Sequence, residues 1–216
     1  MCLSLPPYNG NAMLQNSIFQ IFQTCPLLAG YQTPWDITAQ AAGLVSRMLA
    51  TLDGDFVIRN QIAIHREAVL EEGVVLKPPA IISKGCFIAA HAYLRGGVFL
   101  AENVSIGPGG EVKSSFIFQN SALAHFNFVG DSLIGTDVNL EAGAVLANHF
   151  NERPDKTIRV VADGRIVETG VHKFGALVSD GSRIGANAVT VPGTILLPGS
   201  IVGRLQLLDQ VAAFGR

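Results

Sequence analysis

The sequence predicts an all-β solenoid with a short N-terminal helical segment and an inserted β-hairpin. Three observations predict it. Apolar residues recur every six positions, at Ile58, Ile64, Leu70, Leu76, Ile82, Ile88, Leu94, Leu100, Ile106, Val112, Phe118 and Ala124. Four residues after each stop runs a second column, small or apolar throughout, including Ala68, Val74, Ala80, Cys86, Ala92, Val98 and Val104. The composition agrees: of 216 residues 49% are hydrophobic, 15% are charged and 23 are Gly, which suits one extensive buried interior with many corners. A period of six fits neither the 3.6 of a helix nor the 2 of an alternating strand. It fits a coil in which each hexad is one short flat strand and one corner. A sandwich of irregular strands would show turn signals at wider, uneven spacing.

Taken in order, residues 1–55 form the N-terminal helical segment. Pro6-Pro7 and Asn9-Gly10 are turns, and Met13 to Phe22 reads as a short helix ended by Cys25-Pro26. Thr33-Pro34-Trp35-Asp36 starts a second helix, with Thr33 as N-cap and Pro34 in the first turn. Its apolar face is Ile37, Ala41, Leu44, Val45, Met48, Leu49 and Leu52, and Asp53-Gly54 stops it. This segment packs on the solenoid or covers its open end, because a solenoid terminus exposes unpaired strand edges. Residues 56–204 are the solenoid. Within it, 151–172 leave the beat, and Ala162-Asp163-Gly164 between two β-rich runs marks a hairpin protruding from a corner. Val178, Ile184, Thr190, Leu196 and Val202 restore the period, and residues 205–216 form a C-terminal cap.

Charge and composition exclude several classes. A net charge of −2 speaks against a general nucleic-acid binder. No apolar run reaches membrane-spanning length, and no basic start precedes an apolar stretch, so the chain reads as cytoplasmic. Three cysteines do not make a disulfide framework, and Cys86 falls on the inward column as a core filler.

Three hexads per coil place residues 18 apart above one another, about 4.8 Å between strands. Lys77, Arg95 and Lys113 then form one outer column. Like charges so placed repel unless an anion lies across them; a solvated face and a phosphate site are equal readings of the pattern. The beat slips after Ala124, with the next stop at Phe128, so His125-Phe126-Asn127 occupy an irregular corner.

The run from Ser121 to Asn148 contains His125-Phe-Asn-Phe-Val-Gly-Asp131, then Ile134-Gly-Thr-Asp-Val-Asn-Leu-Glu-Ala-Gly143, then Asn148. It resembles the C-terminal acetyltransferase domain of the bifunctional N-acetylglucosamine-1-phosphate uridylyltransferase/glucosamine-1-phosphate acetyltransferases. These carry His-Leu-x-Tyr-Leu-Gly-Asp, Ile-Gly-x-x-Val-Asn-Ile-Gly-Ala-Gly and a closing Asn-Tyr. The resemblance implies a left-handed parallel β-helix of hexapeptide repeats, an exception to right-handed crossovers. It also implies a homotrimer, acetyl-CoA as acyl donor and no metal. It implies His125 as general base with Asn148 aligning the reacting groups, Arg95, Lys113 and Lys173 on a sugar phosphate, Asn139 on the sugar, and Ala186 near the donor. Phe128 stands where the family has a phosphate-binding Tyr, His149 follows the closing Asn in place of Tyr, and Ala186 replaces a common Ser. The hairpin has no counterpart, and residues 1–56 hold no nucleotidyltransferase domain.

The implied reaction is acyl transfer to the amine of an amino-sugar phosphate or nucleotide sugar. A sugar amine must lose a proton before it attacks a thioester, and neutral His suits that task; backbone N–H groups near Ala186 would hold the thioester oxygen. The alternatives are a non-catalytic trimeric homologue that binds a sugar phosphate or nucleotide sugar, and a zinc enzyme of the γ-carbonic-anhydrase type drawing on His65, His91, His125, His149 and His172. For Asn139 and Asn148 a corner ladder is an equal reading, and Lys173 reads equally as a hairpin-base lysine.

Overall fold

The computed structural model describes Cys25, Leu28 and residues 30–214, and the expected helix Met13–Phe22 lies outside them. The chain winds as a left-handed parallel β-helix with three flat faces. The first face carries seven parallel strands, in spatial order from Val69–Leu70 through Phe87–Ile88, Ser105–Ile106, Ala122–Leu123, Asn139–Leu140 and Arg183–Ile184 to Ile201–Val202. The second and third faces merge into one 13-stranded sheet, because Tyr93–Leu100 and Glu111–Ile117 run across both. Apart from the first strand, Phe56–Arg59, the pairing between these strands is parallel, so each residue stacks on its equivalent one coil away.

Inside the prism the aliphatic column is continuous. Ile82, Ile88, Leu94, Leu100, Ile106 and Val112 are fully buried, as are Val178, Ile184 and Leu196 later on. Cys86 lies in the same core; its Sγ donates to Ala101 O at 3.0 Å, and burial pushes the thiol up to about 11. That thiol stays neutral at physiological pH and is chemically inert.

The beat departs from the expected phase in two places. Ile58 is not an inward stop: it lies 47% exposed on Phe56–Arg59, which folds back antiparallel on Ile62–His65 through a turn at Asn60 and Gln61. That hairpin covers the first edge of the solenoid. Further on, the inward residues are Ile117, Leu123 and Val129, not Phe118, Ala124 and Phe128. The two-residue slip expected at His125–Asn127 is really two one-residue shortenings, at Lys113–Ser115 and at Gly130–Ser132. Coils of 18 residues become coils of 17 there. Serine hydroxyls complete the tightened corners: Ser115 Oγ donates to Lys113 O and accepts from Ser132 N–H, and Ser132 Oγ bridges Gly130 O and Ala176 N–H. Phe118 misled the count because it is buried on the outside of the wall as deeply as Ile117 is inside it.

That outer burial belongs to the third face. The second expected helix forms in two pieces, α1 (Pro34–Ala39) and α2 (Ala41–Leu49), broken at Gln40. Thr33 Oγ1 caps α1 by accepting the Asp36 N–H at 3.3 Å. Ile37, Leu44 and Val45 are fully buried against Ile81, Phe116, Phe118 and Leu133 of the third face. The helices therefore cover a side of the prism, not its end. Gly97 permits this approach: at φ +91° it lies so close to α2 that a Cβ would fall 2.4 Å from Ala42 N.

The hairpin forms as Arg159–Ala162 and Arg165–Glu168, joined at Asp163-Gly164 with both φ positive. It does not protrude freely. Ile158, Val160 and Ala162 join the cluster under the third face, together with Phe150 and Phe174. At the far end Leu207–Leu208 adds one more strand, and α3 (Gln210–Ala213) is a single exposed turn capped by Asp209. The last coil leaves Ile201, Leu205 and Leu207 exposed. Among the described residues no helix is long and apolar enough to cross a membrane.

Gly97→Ala is expected to lower unfolding stability by about 2 kcal/mol or more, since it adds positive-φ strain to a backbone collision with α2. Urea denaturation checks this as a lower midpoint at unchanged slope.

Candidate functional site

The parallel register brings the expected cations together. Lys77 N–H donates to Leu94 O, Arg95 is the register partner of Lys113, and Lys113 that of Gly130. All stand toward one end of the second face, at the corner where the chain turns to the third. Two of the three cations, Arg95 and Lys113, are neutralised from within the protein, a feature the spacing did not reveal. Arg95 Nε and Nη2 donate to Glu111 Oε1 at 2.9 and 2.6 Å, and Lys113 Nζ lies 2.6 Å from Asp131 Oδ2. Tyr93 flanks Arg95, its ring centroid 5.7 Å from the guanidinium carbon. Donors remain: Arg95 Nη1 is uncommitted, and Lys113 uses one of its three N–H groups.

Asp131 is the hub of this corner. Its carboxylate accepts from Lys113 and also from Asn148 Nδ2, and the residue is nearly fully buried at φ +45°. Gly130 makes the approach possible, because a Cβ there would meet the Asn148 amide at 2.7 Å and the Phe128 ring at 2.9 Å. Phe128 is half-buried on the second face between Glu111 and Val145. The chain leaves after Asn148 and comes back to the same place: Phe174 N–H donates to Asn148 O at 3.0 Å, and Gly175 N–H to Asp131 O at 2.9 Å. Lys173 is thereby set, exposed, beside Asn148, anchored by Phe174 in edge contact with Trp35 of α1. Glu111 and Asp131 are the residues the pattern missed. Asp131 lay inside the quoted motif, but only its pairing reveals what it does.

His125 sits at the opposite corner of the second face. It is exposed, and its imidazole makes no hydrogen bond among the described residues. Gly143 N–H donates to His125 O at 2.8 Å and Asn187 N–H to Ala142 O at 2.9 Å, which stacks His125, Ala142 and Ala186 in one corner column. Phe126, next to His125, is 73% exposed at φ +52° and packs over Gly109.

Asn139 and Ala186 stand apart from the cation corner. Asn139 does not join the cations: it is paired with Ala122 and Arg183 on the first face. The Ala186 N–H is not available to an acyl oxygen, because it donates to Glu141 Oε2 at 2.8 Å. Glu141 is held in turn by Arg204, Nε to Oε2 at 2.8 Å and Nη2 to Oε1 at 2.9 Å. The Arg204 fork, and then the Ala186 N–H, lower the Glu141 carboxyl to about 2. Asn139, Glu141, Arg183 and Arg204 line an open groove of about 450 Å³ floored by Ile184 and Val202. The five histidines do not converge. His65 is buried against Phe56 and His91 lies over Gly73, and no group of three His, Cys, Asp or Glu among the described residues is placed to hold a metal.

Comparison with known proteins gives this geometry a family. No protein-family model matches the chain. It is 37% identical over 184 residues to the bifunctional protein GlmU of Methanococcus maripaludis, covering 82% of this chain and 43% of that protein. It is 31% identical over 221 residues to GlmU of Methanococcus vannielii, covering 95% and 52%. It is also 34% identical over 166 residues to a bifunctional sugar-1-phosphate nucleotidylyltransferase/acetyltransferase of Sulfurisphaera tokodaii, covering 74% and 41%. The chain belongs with the C-terminal β-helix domain of GlmU-like proteins. It spans about half the length of these relatives. Within the GlmU-like frame, α1, α2 and the 149–172 excursion are packed on the third face, and among the described residues no element covers the other two faces or the His125 corner.

Two outcomes test the pairings. Asp131→Ala strands a largely buried Lys113 and is expected to cost roughly 2–4 kcal/mol, read by chemical denaturation. Arg204→Ala should bring the Glu141 carboxyl back up toward its ordinary 4.5, followed by NMR titration. Because the folded value is depressed, the stabilisation from this pair is present above the unfolded pKa and disappears as pH falls toward 2.

Proposed function

We propose that this chain transfers an acyl group from acyl-CoA to the amine of an amino-sugar phosphate or nucleotide sugar. The observation that carries the reading is the shared second face. Arg95 and Lys113 stack at one of its corners, Asn148 and Lys173 stand further along the same column, and an exposed imidazole stands at the other corner. The names of the GlmU-like relatives support transferase chemistry on sugar phosphates.

In this reading the acceptor's phosphate lies against the uncommitted N–H groups of Arg95 and Lys113 and the ammonium of Lys173. It binds without breaking the pairs to Glu111 and Asp131, which hold both cations in place. Asn148, fixed by Asp131, orients the acceptor. His125 takes the proton that the ammonium must lose before its nitrogen can attack, a contribution of about 10²–10⁴-fold for a positioned general base. Phe128 offers the acceptor an apolar wall where a hydroxyl would add a hydrogen bond.

The donor fits the groove on the first face. Arg183 and Arg204 suit the phosphates of a coenzyme A moiety, and Ile184, Val202 and Gly203 give an apolar floor. When bound, acetyl-CoA supplies the activated thioester carbonyl. Asn139, from its place in this groove, would contact the donor side and not the sugar. Ala186 lies at the groove's edge through Glu141. A homotrimer in the cytoplasm, with the open faces of neighbouring copies completing the grooves, is part of the same proposal.

One observation favours the rival reading, a non-catalytic homologue that binds a sugar phosphate: the Ala186 N–H is occupied. The reading is tested by thiol release from acetyl-CoA with glucosamine-1-phosphate. Wild type should turn over and His125→Ala should be slower by about 10²-fold or more with little change in acceptor KM. Equal slow release by both proteins would favour the binding-only homologue. Arg95→Ala should instead raise the acceptor KM.

A further inference from the structure

At the other end of the third face from the phosphate corner, a cleft of about 350 Å³ opens between the 53–56 segment and the first coils. It lies where the third face turns into the first. Nothing in the acyltransfer reading uses it.

Its floor holds buried polar groups with unused hydrogen-bonding capacity. His65 and Ser83 are each 8% exposed. His65 Nδ1 accepts the Glu67 N–H at 3.1 Å, which leaves the ring proton on Nε2 as a donor with no partner among the described residues. The Ser83 hydroxyl likewise has none among them. Gln119 Oε1, also lining the cleft, is buried and accepts no hydrogen bond. Of these, Gln119 Oε1 is sealed from solvent without a partner, which is unfavourable for a buried acceptor. The floor thus presents two donors to whatever enters, with the Gln119 Oε1 acceptor just beneath them.

The walls and mouth narrow the choice. The rings of Phe56 and Phe99 line the sides. Asp53, Asp55 and Glu102 stand exposed at the mouth and make no ion pair among the described residues, whereas the one cation there, Lys84, is paired with Glu67 at 3.2 Å. The mouth is net anionic and repels phosphate. No three metal-binding side chains are placed to share an ion among the described residues, so a metal does not account for it. Water would satisfy the floor but would leave the aromatic walls and the mouth unexplained.

We propose that this cleft binds a small hydroxylated ammonium compound, an amino sugar without a phosphate. The ammonium lies at the Asp55 and Glu102 carboxylates, the ring hydroxyls meet His65 Nε2–H, Ser83 Oγ and Gln119 Oε1, and the C–H faces rest on Phe56 and Phe99. The site is separate from the Arg95–Lys113 corner and does not depend on the acyltransfer reading.

Isothermal titration of the full chain with D-glucosamine, D-glucose and glucosamine-1-phosphate tests it. Saturable binding of D-glucosamine is expected, at least about tenfold tighter than D-glucose. The double variant Asp55→Asn, Glu102→Gln, both exposed positions, should weaken it by about tenfold or more. Ser83→Ala should weaken both sugars, and His125→Ala should leave D-glucosamine binding unchanged. Absence of saturable heat with D-glucosamine overturns the proposal. So does binding that is indifferent to the double variant, or that His125→Ala abolishes. If glucosamine-1-phosphate binds normally in the double variant while D-glucosamine is lost, the two sites are distinct as proposed.

Discussion

A β-helix of this kind depends on closure. After 17 or 18 residues the chain must return to a point one strand spacing above where it began, with every strand bonded in parallel to the one below. The inward aliphatic column enforces that return, since a coil one residue out of phase would turn its apolar side chains to solvent. Everything functional in the molecule is read off this lattice. Arg95 meets Lys113, and His125 stacks under Ala142 and Ala186, because the lattice repeats.

The lattice is interrupted where the candidate chemistry is densest. Both shortened corners fall at Lys113–Ser115 and Gly130–Ser132, and the long excursion leaves from Asn148 and returns at Phe174 in the same column. A regular corner would carry side chains outward at even spacing. Removing one residue tilts Asp131 into a buried position from which it grips Lys113 and Asn148 together. The serines that complete these corners are thus part of what holds the site's cations still.

The third face shows the opposite strategy. It carries Phe116 and Phe118 on its outer surface, and α1, α2 and the hairpin strand Arg159–Ala162 cover them. This gives the prism a second hydrophobic core outside its wall. Phe174 belongs to that core and sits next to Lys173, so packing on the third face bears on the phosphate corner. Among the described residues the first and second faces receive no such cover, and their outward columns end in exposed Ile201 and Leu207.

The sequence by itself determined the solenoid, the inward positions from Ile64 to Val112, the Arg95–Lys113 stack and the hairpin turn at Asp163-Gly164. Each rests on a local period or a turn rule that needs no tertiary partner. It misplaced the slip because Phe118, Ala124 and Phe128 are apolar for a different reason than Ile117, Leu123 and Val129: the former group faces outward, the latter lines the prism. Apolarity alone cannot separate two cores on either side of one wall. Only the tertiary structure decided that Glu111 and Asp131 neutralise Arg95 and Lys113, that Asn139 faces another way, and that Glu141, 63 residues before Arg204, occupies the Ala186 N–H. The Glu141 pairings reach across the 149–172 excursion, and those of Glu111 and Asp131 depend on which way side chains turn at a corner, so no period in the chain encodes them.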